Sequence, residues 1–461
     1  MKEPHHSTSQ VRPNTTRNGA LVSVFVPYDH PLLQLWEALP WEPITEIMMR
    51  EWRLSGKNVD GGPGRPLDVS LYVPLVVLMI LKRFNSRQLE AYLAENVVAR
   101  VFICRQKQIE AQIRDHANID RVYRALSQEG LDEINTLILH EAKRYGFADL
   151  NILSSDTTVQ ELAIGYPNEP GILRGIAQRC LRAVAKLGKQ GVSGLEGAVE
   201  QAQQVLRSVK EHHLFAKGQE AKQQVLERMM SETETLLATT DGLVTRLGQP
   251  PEAIKRGALR TLRTMKDVAT QLLPQITYWL STGKVAKGKI LHAGLTQAMS
   301  VVRNKAGKRV EFGLPYLLNR LGGGYVFGAL LSRAPDETKM PLHALAAYRE
   351  RFGSGATPAL MVYDRGGYAK DTLDKLEHEG VKQIGVQPKG KGAWRVAEEV
   401  RETIRSERGM TEGIIGTLKS NKYGFNKPTE RTWEPLRMAG TKSILSFNLN
   451  QLMRDVVEAK S

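Results

Sequence analysis

Two acidic residues in the C-terminal quarter of the chain occur in patterns that are typical of metal-binding carboxylates. Asp364 directly follows the apolar run at 359–363, which is bounded by proline and glycine and predicts a short buried strand. Arg408, Glu412 and Lys419 occupy positions i, i+4 and i+11, so on a helix they project from nearly one face. A carboxylate at a strand end and another on a helix, both beside cations, indicate a site for divalent metal and phosphate.

A third carboxylate is needed, because two seldom hold a pair of hard cations that each take several oxygen ligands. Asp156 follows the segment at 150–153 and precedes β-forming residues at 157–159, so we predict it at the end of another strand. Each residue also has a simpler interpretation: Asp156 could cap a turn, Asp364 could belong to a turn, and Glu412 could lie on a solvated helix face. The three together, in this order, indicate an Asp-Asp-Glu catalytic set.

With these residues in place, the sequence resembles the DDE transposases of bacterial insertion sequences. The resemblance rests on the segments SSDTT, VEFGLPYLLNRLGGGY and VYDRGGY and on the spacing Arg408-x3-Glu412-x6-Lys419. Many members of the group have a tyrosine three residues before the arginine, where this chain has Arg405. That departure concerns the role of the tyrosine and not the metal triad. The resemblance extends from about residue 64 to residue 452, with a large insertion inside it.

The resemblance implies an RNase H-like catalytic domain in which Asp156, Asp364 and Glu412 bind two Mg²⁺ or Mn²⁺ ions. Two such ions about 3.5–4 Å apart activate the attacking oxygen and stabilise the leaving oxygen of a phosphodiester. The enzyme would cleave at the element ends and join the freed 3′-hydroxyl to target DNA. If Glu412 is not the third ligand, Glu407 or Glu402 takes its place. The alternatives are a metal-dependent nuclease of the same fold and a non-catalytic DNA-binding protein derived from a transposase.

The charge of the chain predicts a polyanionic partner. The net charge is +15 and the pI is about 9.6, which favours nucleic acid first and an anionic membrane second. Between residues 284 and 310 there are seven cations and no acidic residue, whereas a solvated face would normally mix signs. We expect DNA as the partner, both the inverted repeats of the element ends and target DNA, bound by a homodimer or higher oligomer. The residues expected at the DNA backbone are Arg408, Lys419, Lys305, Lys308, Arg309, Lys389 and Lys391.

Composition excludes several other classes. No stretch approaches the roughly 18–20 apolar residues that a membrane span requires, and the polar N-terminus has no signal-peptide core. Two cysteines, Cys104 and Cys180, exclude a disulfide scaffold and a cysteine-based zinc site. We therefore expect a cytoplasmic bacterial protein that associates with the nucleoid and not with a membrane.

The order of patterns predicts a mixed α/β protein in which a helical insertion interrupts the catalytic core. We expect a weakly ordered arm at 1–30 and a helical domain at 31–146, which either reads the terminal repeats as a helix-turn-helix or serves packing and dimerisation. The catalytic domain would comprise 147–172 and 283–432, and an amphipathic helix at 433–461 would end the chain. The insertion at 173–282 has a helical apolar period, and we expect it to serve assembly or to hold DNA.

Several element boundaries can be predicted from capping and breaking residues. An apolar helix at 69–84 precedes a helix capped by Asn85 or Ser86. Within the insertion, Gly218, the GQPP segment at 248–251 and Pro274 should break the helices. The segments KRVEFGLPYLL and YVFGALLS predict a β-hairpin. The helix that contains Glu412 is expected to begin near residue 411.

Overall fold

The structure is a computed structural model that describes residues 8–15, 21–27, 29–61, 66–104, 116–305, 308–333, 335–388, 390, 393–430 and 432–460. Within these ranges the protein belongs to the mixed α/β class, with helices before, within and after a six-stranded sheet. This class agrees with the prediction from the sequence.

The N-terminal residues form a β-hairpin where we expected an arm without regular structure. Strands β1 (Thr8–Thr15) and β2 (Leu21–Pro27) pair antiparallel, with Val11 opposite Val24. The reason is the β-branched residues in the second strand, where Val22, Val24 and Val26 recur with the two-residue period of a strand.

The predicted helical region follows, and the described part of it contains seven helices. They are α1 (Pro31–Ala38), α2 (Trp41–Leu54), α3 (Val69–Lys82), α4 (Ser86–Glu95), α5 (Val97–Cys104), α6 (His116–Tyr123) and α7 (Gln128–Arg144). The cap predicted before α4 is confirmed, because Asn85 Oδ1 accepts a hydrogen bond from Gln88 N and Gln88 Oε1 accepts one from Asn85 N, both at 2.9 Å.

Strand β3 (Asp149–Glu161) leads into the insertion, which the structure forms as four successive helices of the described chain. They are α8 (Glu169–Gly188), α9 (Glu196–Leu214), α10 (Gln219–Leu247) and α11 (Ala253–Thr282), and their apolar faces share a core of their own. The predicted breaks at Gly218 and at 248–251 are confirmed. The break predicted at Pro274 is wrong, because α11 continues through it with Leu272 and Ile276 packed in that core.

The sheet combines antiparallel and parallel pairing around β3. Its other strands are β4 (Met299–Lys305), β5 (Lys308–Gly322), β6 (Val326–Leu330), β7 (Leu360–Tyr363) and β8 (Gln383–Val386). The order is β4-β5-β3-β7-β8, and β6 also pairs with β5. Pairing of β5 with β3, β4 and β6 is antiparallel, whereas β3, β7 and β8 run parallel. The predicted hairpin of β5 and β6 is confirmed.

Helix α12 (Met340–Phe352) leads from β6 to β7, α13 (Lys370–His378) leads from β7 to β8, and α14 (Glu398–Leu418) follows β8. The last helix, α15 (Trp433–Lys460), is buried on all sides from Ala439 to Leu449, so the amphipathic character expected of it is wrong. Leu445 and Leu449 contribute to one hydrophobic core, and Ile444 contributes to another. The helix is buried all round because it lies between two cores and not on the surface.

The N-terminal helices do not have a core separate from the sheet. One cluster joins Val76 of α3 and Ile138 of α7 to Leu317 of β5 and Met361 of β7. A buried hydrogen bond reinforces the contact, since Asn135 Nδ2 of α7 donates to the carbonyl of Val326 in β6 at 3.3 Å. These helices therefore cover one face of the sheet.

In the described ranges, no single helix is long and apolar enough to cross a membrane. Helices α3 and α4 together reach the required length and composition, but they are bent by 102° relative to each other.

Candidate functional site

The pairing of β3 with β7 places Asp156 beside Asp364. Ser155 pairs with Tyr363, the last residue of β7, so the two aspartates are the next residues on neighbouring parallel strands, roughly 5 Å apart in the backbone. We predicted Asp156 at the end of a strand, but it lies within the 13-residue strand β3. The strand continues because β5 pairs with it past the end of β7, with Leu318 opposite Asp156.

Both aspartates lie on the face of the sheet that α14 covers. Val362 packs against Ile404 of α14, and Ser154 Oγ lies 2.7 Å from the hydroxyl of Thr411 on the same helix. Because side chains alternate between faces along extended backbone, Asp156 and Asp364 follow Ser154 and Val362 on that face.

The chain turns sharply directly after Asp364. The three residues Arg365–Gly367 form a 3₁₀ turn, which Asp364 caps by accepting a hydrogen bond from Arg365 N. A Cβ on Gly367 would lie 2.5 Å from the Tyr363 ring and 2.8 Å from Pro341. Glycine is therefore required here by close packing, which fixes the direction of the chain directly after Asp364.

Glu412 of α14 is linked to one of the two aspartates, Asp364, through Arg408. Arg408 Nη2 is 3.0 Å from Asp364 Oδ1 and 3.6 Å from Glu412 Oε1. The side chains of Arg408, Asp364 and Glu412 are 37%, 41% and 61% exposed, so solvent and ligand can reach all three. The helix begins at Glu398 and not near residue 411, and Arg408 and Glu412 thus lie well inside it.

A buried polar cluster beneath this site fixes α14 to the sheet. Arg320 of β5 forms an ion pair with Glu407, and its Nε and Nη1 donate to Thr411 Oγ1 at 3.1 Å and to the Leu321 carbonyl at 3.2 Å. Burial lowers the pKa of Arg320 from its ordinary value, but a guanidinium remains protonated at neutral pH. Glu407, which we considered as an alternative ligand, thus contacts a buried arginine on the inner side of the helix.

Glu337 is a residue beside the site, on the opposite face of the sheet, that sequence reasoning missed. It lies in the 3₁₀ turn Glu337–Lys339 before α12. Its carboxylate accepts hydrogen bonds from Thr157 Oγ1 at 2.8 Å and from Tyr363 OH at 3.2 Å. Burial, together with the nearby carboxylates of Glu337 and Asp156, raises the pKa of Tyr363 above its ordinary value. Glu337 therefore connects the neighbours of Asp156 and Asp364, and nothing in its local sequence distinguishes it from a surface glutamate.

The cations predicted to contact DNA are found in different settings. Lys419 directly follows α14 as its C-terminal cap residue, seven residues or about 10 Å along the helix from Glu412. Lys305 ends β4 and Lys308 begins β5. The side chains of Lys305, Lys308 and Arg309 lie outside the described residues, as do Lys389 and Lys391 altogether.

The basic stretch at 284–310 is in part neutralised by the fold. Lys289 forms an ion pair with Glu169 at the start of α8, so an acid from another element compensates a cation that has none nearby in sequence. Lys284 and Lys287 are exposed. This part of the stretch therefore offers two lysines, and not three, to an external anion.

Two of the three predicted carboxylates, Asp364 and Glu412, lie on either side of one cation, Arg408. Among the described residues, no group of three or more histidine, cysteine, aspartate or glutamate side chains is arranged to hold a metal ion. Asp364 and Glu412 instead both approach the guanidinium group of Arg408. Comparison with protein-family models, with curated proteins and with solved structures returned no match.

Proposed function

We propose that this protein is a DDE-type DNA transposase with an RNase H-like catalytic domain. It would cleave phosphodiester bonds at the ends of an insertion sequence and join the 3′-hydroxyl to target DNA. The observation that supports this most directly is the register of β3 and β7, which brings Asp156 and Asp364 side by side from positions 208 residues apart (364 − 156). Glu412 then faces the pair from the helix that follows the sheet.

The donor set fits Mg²⁺ or Mn²⁺, because all three side chains are carboxylates and hard cations prefer oxygen ligands. Asp364 and Glu412 already approach one cationic group at 3.0 and 3.6 Å. Asp156, Asp364 and Glu412 would hold the ions. Bound in a pair, such ions activate the attacking oxygen and stabilise the leaving oxygen of a phosphodiester.

Arg408 has to leave the carboxylates before they can act together on a cation. The ion pairs that it makes are partly exposed, and such pairs contribute at most about 1 kcal/mol each. Loss of these pairs is therefore a small cost beside the binding of a dication. The released guanidinium lies on the same helix face as Glu412 and Lys419, where both cations would contact DNA phosphate.

The chain's excess of positive charge, +15, supports DNA as the partner, with element ends and target DNA held by a dimer or higher oligomer in the bacterial cytoplasm. The short inverted repeats expected to flank the coding region supply the DNA ends for the assay.

Glutamine at position 412 tests the assignment. Glu412→Gln is nearly isosteric and both residues favour helix equally, so the protein should fold normally. Mg²⁺- or Mn²⁺-dependent cleavage of the DNA end, and joining of a pre-cleaved end, should both fall by at least about 100-fold if one metal ligand is lost. A gel shift with the same DNA should be unchanged, because phosphate contacts come from Arg408, Lys419 and the other basic residues.

The matched control is Glu399→Gln, the same chemical change at an exposed position of α14 thirteen residues away. It should cleave and join as the unmodified protein does. A Glu412→Gln protein with undiminished cleavage would refute the site. Cleavage by the unmodified protein without any joining would instead identify a metal-dependent nuclease.

A further inference from the structure

A segment of successive turns, residues 289–298, packs against both the insertion and the sheet. Ile290 and Ala293 of this segment belong to the core of the insertion, whereas Leu291 and Leu295 belong to the core on the α14 face of the sheet. The contact with α8 is close, since a Cβ on Gly175 would lie 3.2 Å from Ala293 Cβ. Side chains at this junction are therefore held in place from both sides.

Arg179 of α8 lies in this junction as a partly buried cation. Its guanidinium rests against Gly294, where a Cβ would collide with it. Within the described residues, Arg179 makes no hydrogen bond and no ion pair, although it is only partly exposed. Burial, and then the positive charge of Arg182, lowers the pKa of Arg179.

His292 is a third hydrogen-bond donor at the junction, beside the two positively charged arginines. Its Nδ1 accepts a hydrogen bond from Gly294 N at 3.2 Å, so the ring proton is on Nε2, which remains able to donate. Burial, and then the charge of Arg179, lowers the pKa of His292, which keeps the ring neutral at physiological pH. The junction thus presents two guanidinium groups and an imidazole N–H.

A charge that is half removed from water without a partner costs free energy, and an anion at the same place offsets that cost. Guanidinium groups match phosphate oxygens in a bidentate geometry. The junction is also on the side of the sheet where the catalytic residues lie, because Leu291 and Leu295 pack with Leu162, just past the end of β3. Leu162 is six residues beyond Asp156, or about 20 Å along extended chain.

We propose that Arg179, Arg182 and His292 form a binding site for a DNA backbone phosphate at the junction of the insertion and the sheet. The identity of the ligand rests on the proposed function. Because the junction packs beside Leu162, just past the end of β3, this contact lies on the same side of the sheet as Asp156 and Asp364. The insertion would thereby hold the DNA in register with the cleavage site.

The test is equilibrium binding of a fluorescent DNA duplex in EDTA, followed by anisotropy between about 50 and 200 mM salt. Arg179→Gln and Arg182→Gln should each reduce the slope of log affinity against log salt by about 0.9. Over that fourfold range of salt, the affinity of each variant should fall about 3.5-fold less than that of the unmodified protein. Arg179→Lys should restore the slope, because it also neutralises one phosphate.

The matched control is Arg260→Gln, which removes the same charge from an exposed position near the opposite end of the insertion. Arg260 precedes the end of α11 by 22 residues, or about 33 Å, and its loss should leave the slope unchanged. Arg182 is itself exposed, so its variant folds even if Arg179→Gln does not.

The outcomes separate this site from the catalytic proposal. A reduced slope supports the phosphate site whether or not the protein cleaves DNA. An unchanged slope in both variants, with DNA bound by the unmodified protein, overturns the site and leaves the proposed function intact. Inorganic phosphate that raises the thermal midpoint of the unmodified protein but not of Arg179→Gln, with equal DNA slopes, would show a small-anion site and overturn the DNA contact. Failure of the unmodified protein to bind DNA would overturn both.

Discussion

Replacing Glu407 by glutamine would leave the buried charge of Arg320 without its acidic partner. Arg320 is 2% exposed and Glu407 is 7% exposed. Removing one member of such a buried pair costs about 3–5 kcal/mol. Arg320 keeps two neutral acceptors, Thr411 Oγ1 and the carbonyl of Leu321. We therefore expect the free energy of unfolding to fall by about 3 kcal/mol, the lower end of that range.

The same change five residues later, Glu412→Gln, should have little effect on the free energy of unfolding. Glu412 is 61% exposed and 3.6 Å from Arg408, and an exposed pair of this kind contributes at most about 1 kcal/mol. Glu412→Gln should unfold close to the unmodified protein and lose cleavage, whereas Glu407→Gln should be clearly less stable. Urea unfolding followed by circular dichroism measures the difference in free energy.

A two-residue replacement checks that the loss comes from the unpaired charge. Arg320→Met combined with Glu407→Leu removes both charges, and apolar replacement of a buried pair is often neutral or stabilising. The double variant should therefore be more stable than Glu407→Gln alone. A Glu407→Gln protein within about 0.5 kcal/mol of the unmodified one, the usual range for surface changes, would refute the buried ion pair and with it this account of how α14 is positioned.

Asn448→Ala should lower the free energy of unfolding by about 2–4 kcal/mol, because it leaves the buried N–H of Val326 and the buried Oδ1 of Asn135 without their Asn448 partner; a loss below 1 kcal/mol in urea unfolding would contradict this. Burial raises the pKa of Asp455, which accepts a hydrogen bond from Tyr325 OH. The contribution of Asp455 to stability is therefore fully present below its pKa in the unfolded chain, and it is lost as pH rises through its pKa in the folded protein. Asp455→Asn should accordingly be slightly more stable at neutral pH and flatten the profile of stability between that unfolded value and neutrality, and a steeper profile would show the wrong sign. Lys419→Ala should reduce the salt slope of DNA binding by about one contact and leave metal affinity unchanged, as isothermal titration with Mn²⁺ would check; weaker Mn²⁺ binding would count against a role at phosphate.

The sequence by itself determined the elements whose signals are local. Asn85 predicted the start of α4 because a capping side chain needs only residues within one turn, and Gly218 and the GQPP segment predicted breaks because they act on their own backbone. The apolar run before Asp364 predicted β7, and the paired β-forming segments predicted the hairpin of β5 and β6. The spacing of Arg408 and Glu412 predicted a shared helix face, which the structure has.

Only the tertiary structure decided which side chains are partners. Asp156 lies inside a strand because β5 extends the pairing beyond β7, and no local pattern states the length of a partner strand. Glu407 and Glu412 have the same side chain and lie on the same helix. One is buried against Arg320 and the other is exposed, since the sheet contacts only one side of α14.

The same reason explains the residues and elements whose surroundings the sequence did not predict. The terminal helix α15 was expected to have a polar face, but two cores enclose it from Ala439 to Leu449. Arg179 has the sequence context of an ordinary basic residue on a helix, and its setting depends on the segment at 289–298, more than 100 residues later (289 − 179 = 110). Local sequence fixes backbone preferences through short-range contacts, whereas burial and charge pairing depend on residues that only the folded sheet brings together.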